Sequence, residues 1–203
     1  MSRRLLVMAV LWLAGCGPRA GGPPAPVYPC TLRPLATLTP DFTVRQHIEA
    51  TGHGRSGGFD AVLQKKGDKL VLVGLVAGVR AFVLEQDGDR VSFDQSMGPP
   101  LPFPPAYAII DIHRAYWKRL PRAADAATPG TVKGELDGEA VEEVWSNGNL
   151  IERRFFRPEL PGAVRIEYGP GCTAERCLPA SVRIVNEWLG YTIRVDNSEF
   201  TIL

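Results

Sequence analysis

The sequence carries almost no net charge. Its 23 basic and 22 acidic side chains leave +1 over 203 residues, so no strong field draws the chain to nucleic acid or anionic lipid. Long apolar runs are also missing. The longest, residues 5–14, has 10 residues, whereas a spanning helix needs about 20. Glycine has no period of three, which excludes a collagen-like chain. Apolar residues are not scarce, at 45% against 22% charged, and this excludes wholesale disorder. No G-x-S-x-G, H-E-x-x-H or P-loop motif occurs, and no nucleophile–base pair is visible, so no enzyme is expected. C-x-x-C is absent too. His47, His53 and His113 form no ligand pattern, so neither a redox pair, a metal nor a cofactor is expected. Residues 52–58 (GHGRSGG) have the glycines of a phosphate loop but no Lys-Ser/Thr, and they open no helix; we expect a mobile hairpin loop there. Asp111 and His113 lie two apart on a predicted helix, point in different directions and read as surface or boundary residues.

What is abundant is glycine and proline, 21 and 18 residues. Together they make about 19% of the chain, against a usual background of roughly 12%. Turns, and therefore β structure, follow from that, with at least one linker. Residues 1–16 (MSRRLLVMAVLWLAGC) begin with Arg3 and Arg4 and continue into the apolar run, the pattern of a signal peptide. The run ends in Leu13-Ala14-Gly15-Cys16, which resembles the bacterial lipobox. This implies cleavage before Cys16 and a diacylglycerol on its sulfur. Export would permit disulfides, and two or three acyl chains would make a stable membrane anchor. Gly17 stands where Asp would direct inner-membrane retention, so the outer membrane is expected. Residues 17–40 hold seven prolines and three glycines and read as a tether, of which residues 32–38 are expected to pack on the domain. The expected division is residues 1–15 signal peptide, 16–40 lipidated cysteine and tether, and 41–203 folded domain.

From residue 42 onward strand signals dominate. Alternation and turn dipeptides predict strands over residues 42–50, 57–65, 70–76, 79–86 and 90–93. The run LVLVGLV at 70–76 is too long an apolar stretch for a surface strand. Residues 97–105 (MGPPLPFPP) contain five prolines in nine residues and interrupt the sheet. Residues 106–120 then show the one clear helical period, Ile109, Ile112, Tyr116 and Leu120, and Lys118, Arg119 and Arg122 suit the negative pole of its dipole. Strands resume after Gly134, over residues 139–145, 149–156, 164–168, 181–187 and 191–196, with a short last one at 200–203. Asn147-Gly148 is a strong hairpin signal. The fold class expected is mainly β (α+β): an incomplete antiparallel β-barrel of about 10–11 strands with a helical lid.

With Cys16 acylated, Cys30, Cys172 and Cys177 remain. A local disulfide between Cys172 and Cys177 would staple the loop GPGCTAERCLP and leave Cys30 free or paired between chains. The apolar residues outnumber what one helix and one sheet obviously need. If the sheet closes tightly they are core; if it stays half open they line an apolar cavity roofed by the helix, suited to acyl chains.

Gly58-Phe59 with Leu63-Gln64, the run at 70–84, AIIDIHRAYW at 108–117 and YTIRVDNSEFTIL at 191–203 resemble the LolB outer-membrane lipoproteins and their periplasmic LolA relatives, more closely a LolB-related subgroup of bacterial lipoproteins. The resemblance covers roughly residues 41–203. It implies a half-barrel with a hydrophobic cavity, lidded by helix, that binds lipids or the acyl chains of lipoproteins without catalysis and exchanges them with a periplasmic carrier. On that reading Phe59, Leu63, Leu72, Phe82, Ile109, Tyr116, Trp117 and Ile193 are the cavity and lid residues. Leu75 and Val76 stand where the family has a protruding loop. The domain would sit on the outer membrane, anchored through Cys16 and facing the periplasm, with no nucleic-acid partner. The alternative is a structural or envelope-assembly lipoprotein with a filled core, acting through protein contacts.

Overall fold

Phe42, Val44, Gln46 and Ile48 are buried along the first strand, whereas Arg45, His47 and Glu49 are exposed, so the two-residue period fixes one inner and one outer face. The computed structural model describes residue 28 and residues 31–98, 101–120, 129–173 and 176–203. The strands are β1 (Phe42–Gly52), β2 (Arg55–Lys66), β3 (Lys69–Val76), β4 (Val79–Asp87), β5 (Arg90–Gln95), β6 (Gly130–Leu136), β7 (Glu139–Ser146), β8 (Asn149–Phe156), β9 (Ala163–Tyr168), β10 (Ser181–Asn186) and β11 (Tyr191–Ile202). They form one 11-stranded sheet in the order β5-β4-β3-β2-β1-β11-β10-β9-β8-β7-β6. Every pairing is antiparallel. The sheet is open: its outer strands, β5 and β6, do not pair with each other. Helix α1 (Pro105–Tyr116) lies between them in sequence and packs against β4, β5 and β10. The expected mainly β, incompletely closed architecture is therefore present.

Several boundaries differ from expectation for identifiable reasons. The GHGRSGG stretch is no loop. His53 and Gly54, at φ 51° and 74°, make a two-residue turn, and β2 runs on through both following glycines. The helix stops at Tyr116, where the amides of Trp117 and Lys118 both bond the His113 carbonyl and Trp117 leaves helical geometry. Its start needs no side-chain cap, because Pro105 occupies the first turn, where no amide partner is required. The strand β6 begins before Gly134; its two glycines hide it from propensity, and Gly134 is there because Leu120 packs on it, leaving a Cβ only 2.7 Å from Leu120 Cδ2. The last strand is continuous, its register stepping at a bulge opposite Thr43 and Arg45, with Glu199 at φ 51°.

The long apolar strand β3 faces both ways. Leu70, Leu72 and Gly74 are buried inward, and Val71, Val73 and Leu75 are half-buried outward. On the outer face the register Val62↔Val73↔Val83 sets three valines side by side, so each shields its neighbour. Residues before β1 also pack, as expected for residues 32–38. A 3₁₀ turn at Leu35–Thr37 buries Leu35, and Leu38 joins the same core. The packed chain reaches further back, to Tyr28, which is 4% exposed.

Candidate functional site

The inner face is mainly apolar over β1–β5 and β11, with Gln46, Lys65 and Gln86 also buried there. Leu63 and Leu72 face each other across β2 and β3 and are buried, as are Ile109, Tyr116 and Trp117 of the helix segment. Trp117 stacks on Phe42 with ring centroids 5.3 Å apart. Phe59, Phe82 and Ile193 are only half-buried against this core. Phe82 stands edge-on to Phe59 at 5.2 Å and tilted to Phe93 at 5.6 Å. Its ring lies directly over Gly74, where any Cβ would overlap it. The structure thus gathers the eight predicted cavity and lid residues around one helix–sheet interface, most of them packed and three partly open.

Leu75 and Val76 end β3 at the β3–β4 hairpin. Ala77 and Gly78, at φ 51° and 75°, make a turn of two residues, so the loop does not protrude. It does present apolar side chains: Val76 is 46% exposed and Val79, across the turn, 60%.

Over β7–β10 the inner face buries Val141, Leu150, Phe155, Val164 and Ile166 and, set among them, an ionic cluster that the hydrophobic pattern did not reveal. Asp111 and His113, expected at the surface, are buried, as are Arg114 and Lys118. Asp111, Arg114 and Lys118 form one stripe at i, i+3 and i+7. Arg114 bonds Asp111 at 2.6 Å and Glu139 at 2.5 Å, and its guanidinium lies 4.7 Å from the centre of the Tyr28 ring. Tyr28 and Tyr191 each donate a hydrogen bond to Asp111, and Asn186 donates to Asp111 at 2.8 Å. Burial, and next the Asp111 charge, raises both tyrosine hydroxyls far above their ordinary range. Lys118, expected to serve the helix dipole, lies past the helix end and bonds Asp137 at 2.9 Å. Burial pushes the Asp137 carboxyl upward, but hydrogen bonds from Arg33 and Lys118 outweigh it and bring it down to about 2. Behind these, Arg153 pairs with Glu143 at 2.8 Å and donates to the Arg114 carbonyl at 2.9 Å. One sequence signal existed: Glu139, Glu143 and Arg153 occupy inward positions of otherwise alternating strands.

Other interior polar groups are less well served. Among the described residues, buried polar atoms without a partner belong to Gln86, His113, Trp117 and Arg157. Both ring nitrogens of His113 are in this state. Burial, then the charges of Lys118 and Arg33, lowers the His113 imidazole to about 3.

Cys172 and Cys177 are joined by a disulfide, and the loop they close is tied to β8 by Leu150 N donating to the Cys172 carbonyl at 2.8 Å. Cys16 and Cys30 lie outside the described residues. Among the described residues no group of three His, Cys, Asp or Glu is placed to hold a metal ion. No helix there is long and apolar enough to cross a membrane.

Comparison with known proteins adds a family and a set of folds. The family model described as "Protein of unknown function (DUF3261)" matches residues 43–199. No curated protein matches the sequence. Among solved structures the chain is similar to a LolA superfamily protein from Nitrosomonas europaea, at 11% identity and TM-score 0.45, covering 84% of this chain and 90% of that one. It is also similar to an outer membrane lipoprotein-sorting protein domain from Vibrio parahaemolyticus (10%, TM-score 0.44, 80% and 85%). A third is a DUF1329 family protein from Desulfovibrio piger (12%, TM-score 0.37, 83% and 87%).

Proposed function

The chain belongs to the DUF3261 family, and for this member we propose an envelope lipoprotein that holds an acyl chain or another lipidic cargo between α1 and the apolar half of its sheet. The observation that carries the reading is the inner face of β2–β5, where Phe82 packs against both Phe59 and Phe93 and none of the three is fully buried. Large apolar side chains left partly open on a concave face are what an alkyl chain fills, at about 0.8 kcal/mol per buried CH₂. Placement in a LolB-related subgroup, acylation of Cys16, anchoring to the outer membrane with the domain facing the periplasm, and exchange with a periplasmic carrier belong to the same proposal. The reading contains no chemical step. Cargo would pass by differences in affinity.

The test is a titration of delipidated protein with a fluorescent long-chain fatty acid, together with native mass spectrometry of the protein as purified. Saturable binding is expected, and Phe82→Asp should weaken it about tenfold or more, since burying a Phe contributes roughly 1.5–3 kcal/mol. No saturable binding in wild type, with no co-purified lipid, would falsify the proposal. A second reading, an assembly lipoprotein with a filled core, draws on the complete burial of Leu63 and Ile109. Cross-linking to a protein partner without bound lipid would favour it.

A further inference from the structure

The two sides of α1 are held down unequally. Towards β7–β10, Asp111, Arg114 and Lys118 are buried and each pairs with an opposite charge. Removing one partner of such a pair strands a buried charge, so this side resists separation. On another face the helix segment presents His113 and Trp117, one turn apart, with ring centroids 6.0 Å apart, and Trp117 stacks on Phe42 of β1. Neither His113 nitrogen has a partner, nor does the indole N–H of Trp117, nor the Gln86 carbonyl oxygen on β4. Gln86 and His113 share a neighbour. The Gln86 amide donates to the Arg33 carbonyl at 3.1 Å, and the Arg33 charge acts on the His113 ring. Each unmet buried polar atom carries a desolvation cost, and these atoms are held inside with unused hydrogen-bonding capacity.

Resting on the cargo reading above, we propose that His113, Trp117 and Gln86 receive the polar head of the cargo, and that the cargo is a single-chain amphiphile ending in a free carboxyl group. A neutral imidazole offers one donor and one acceptor, the indole one donor, and the Gln86 oxygen one acceptor. A protonated carboxyl group, with one O–H donor and two acceptor oxygens, complements that set, whereas an ester lacks the O–H. The alkyl tail then lies over the half-covered Phe59, Phe82 and Phe93.

The experiment titrates the full chain with 11-(dansylamino)undecanoic acid and with its methyl ester. Wild type should bind the acid about tenfold tighter than the ester, the gain from a hydrogen-bonded head over an unpaired one. The near-isosteric Trp117→Phe, together with His113→Leu and Gln86→Leu, should bring the two affinities to within about twofold while keeping affinity for the ester. Circular dichroism identifies any variant that fails to fold, and the remaining ones decide. Equal affinities in wild type, or an acid preference unchanged in the folded variants, overturns the head-group assignment while leaving the apolar groove intact. Binding of neither compound overturns the cargo reading and this inference with it.

Discussion

Burial, and then the charges of Lys118 and Arg33 facing the ring, bring His113 down to about 3, while Asp137 pulls the other way. The folded pKa is thus below the unfolded value of about 6.5. A depressed histidine binds its proton more readily in the unfolded chain, so this contribution is complete above pH 6.5 and lost as pH falls towards 3. Asp137, brought down to about 2, acts in the same direction but only below about pH 4. Between pH 7 and 4.5 the histidine should cost about 2–3 kcal/mol of stability. His113→Phe should flatten the urea midpoint over that range relative to wild type, and an unchanged slope would remove His113 as the cause. This residue, with Asp111, was misread from sequence as peripheral. Periodicity registers apolar side chains, and a charged group whose partner comes from another strand leaves no local signature. Phe59, Leu63 and Leu72 were legible for the opposite reason: alternation alone puts them on the inner face.

Within β3 and β4 the packing turns on a single missing Cβ. The Phe82 ring occupies the space above Gly74, so Gly74→Ala should push the ring off its contacts with Phe59 and Phe93. Overpacking of this kind costs about 1–3 kcal/mol. In urea unfolding the loss should be partly restored by adding Phe82→Leu, which vacates the space; a double variant no better than Gly74→Ala would show that the strain lies elsewhere. The hairpins were readable because their turn dipeptides dictate backbone geometry, as at Asn147-Gly148, with φ 49° and 75°. The strand β6 was not read from the sequence, which placed the next strand only at residues 139–145. Its glycines speak against a strand locally, and only the neighbouring β7 and the Leu120 side chain make them useful there.

Across the whole molecule, the open side of the sheet is bridged by the segment before β1. Arg33 accepts a hydrogen bond from Gln86 on β4 through its carbonyl and pairs with Asp137, in the β6–β7 turn, through its guanidinium at 2.7 Å. Tyr28 reaches the helix and β10, and Leu35 and Leu38 enter the core. What looked like the end of a tether is a strap across the open side of the sheet. Deleting residues 1–40 should lower stability by at least about 3 kcal/mol, from the lost burial of Tyr28, Leu35 and Leu38 alone, and should reduce hydrogen-exchange protection in α1. A truncated chain that melts like the intact one would mean the strap carries no weight.

By itself the sequence determined the antiparallel β class, the strand spacing, the single helix behind a proline-rich stretch and the inward set of apolar side chains. These depend on residue periods of two and 3.6 and on turn dipeptides, all local in the chain. The tertiary structure decided that the sheet stays open, that an ionic cluster is buried on its inner face, and that the N-terminal segment closes the gap. Those outcomes depend on partners far apart in sequence, such as Arg114 with Glu139, Asn186 with Tyr28 and Arg33 with Asp137. A charge is tolerated in the interior only when folding brings its counter-charge to it, and no window of neighbouring residues contains that information.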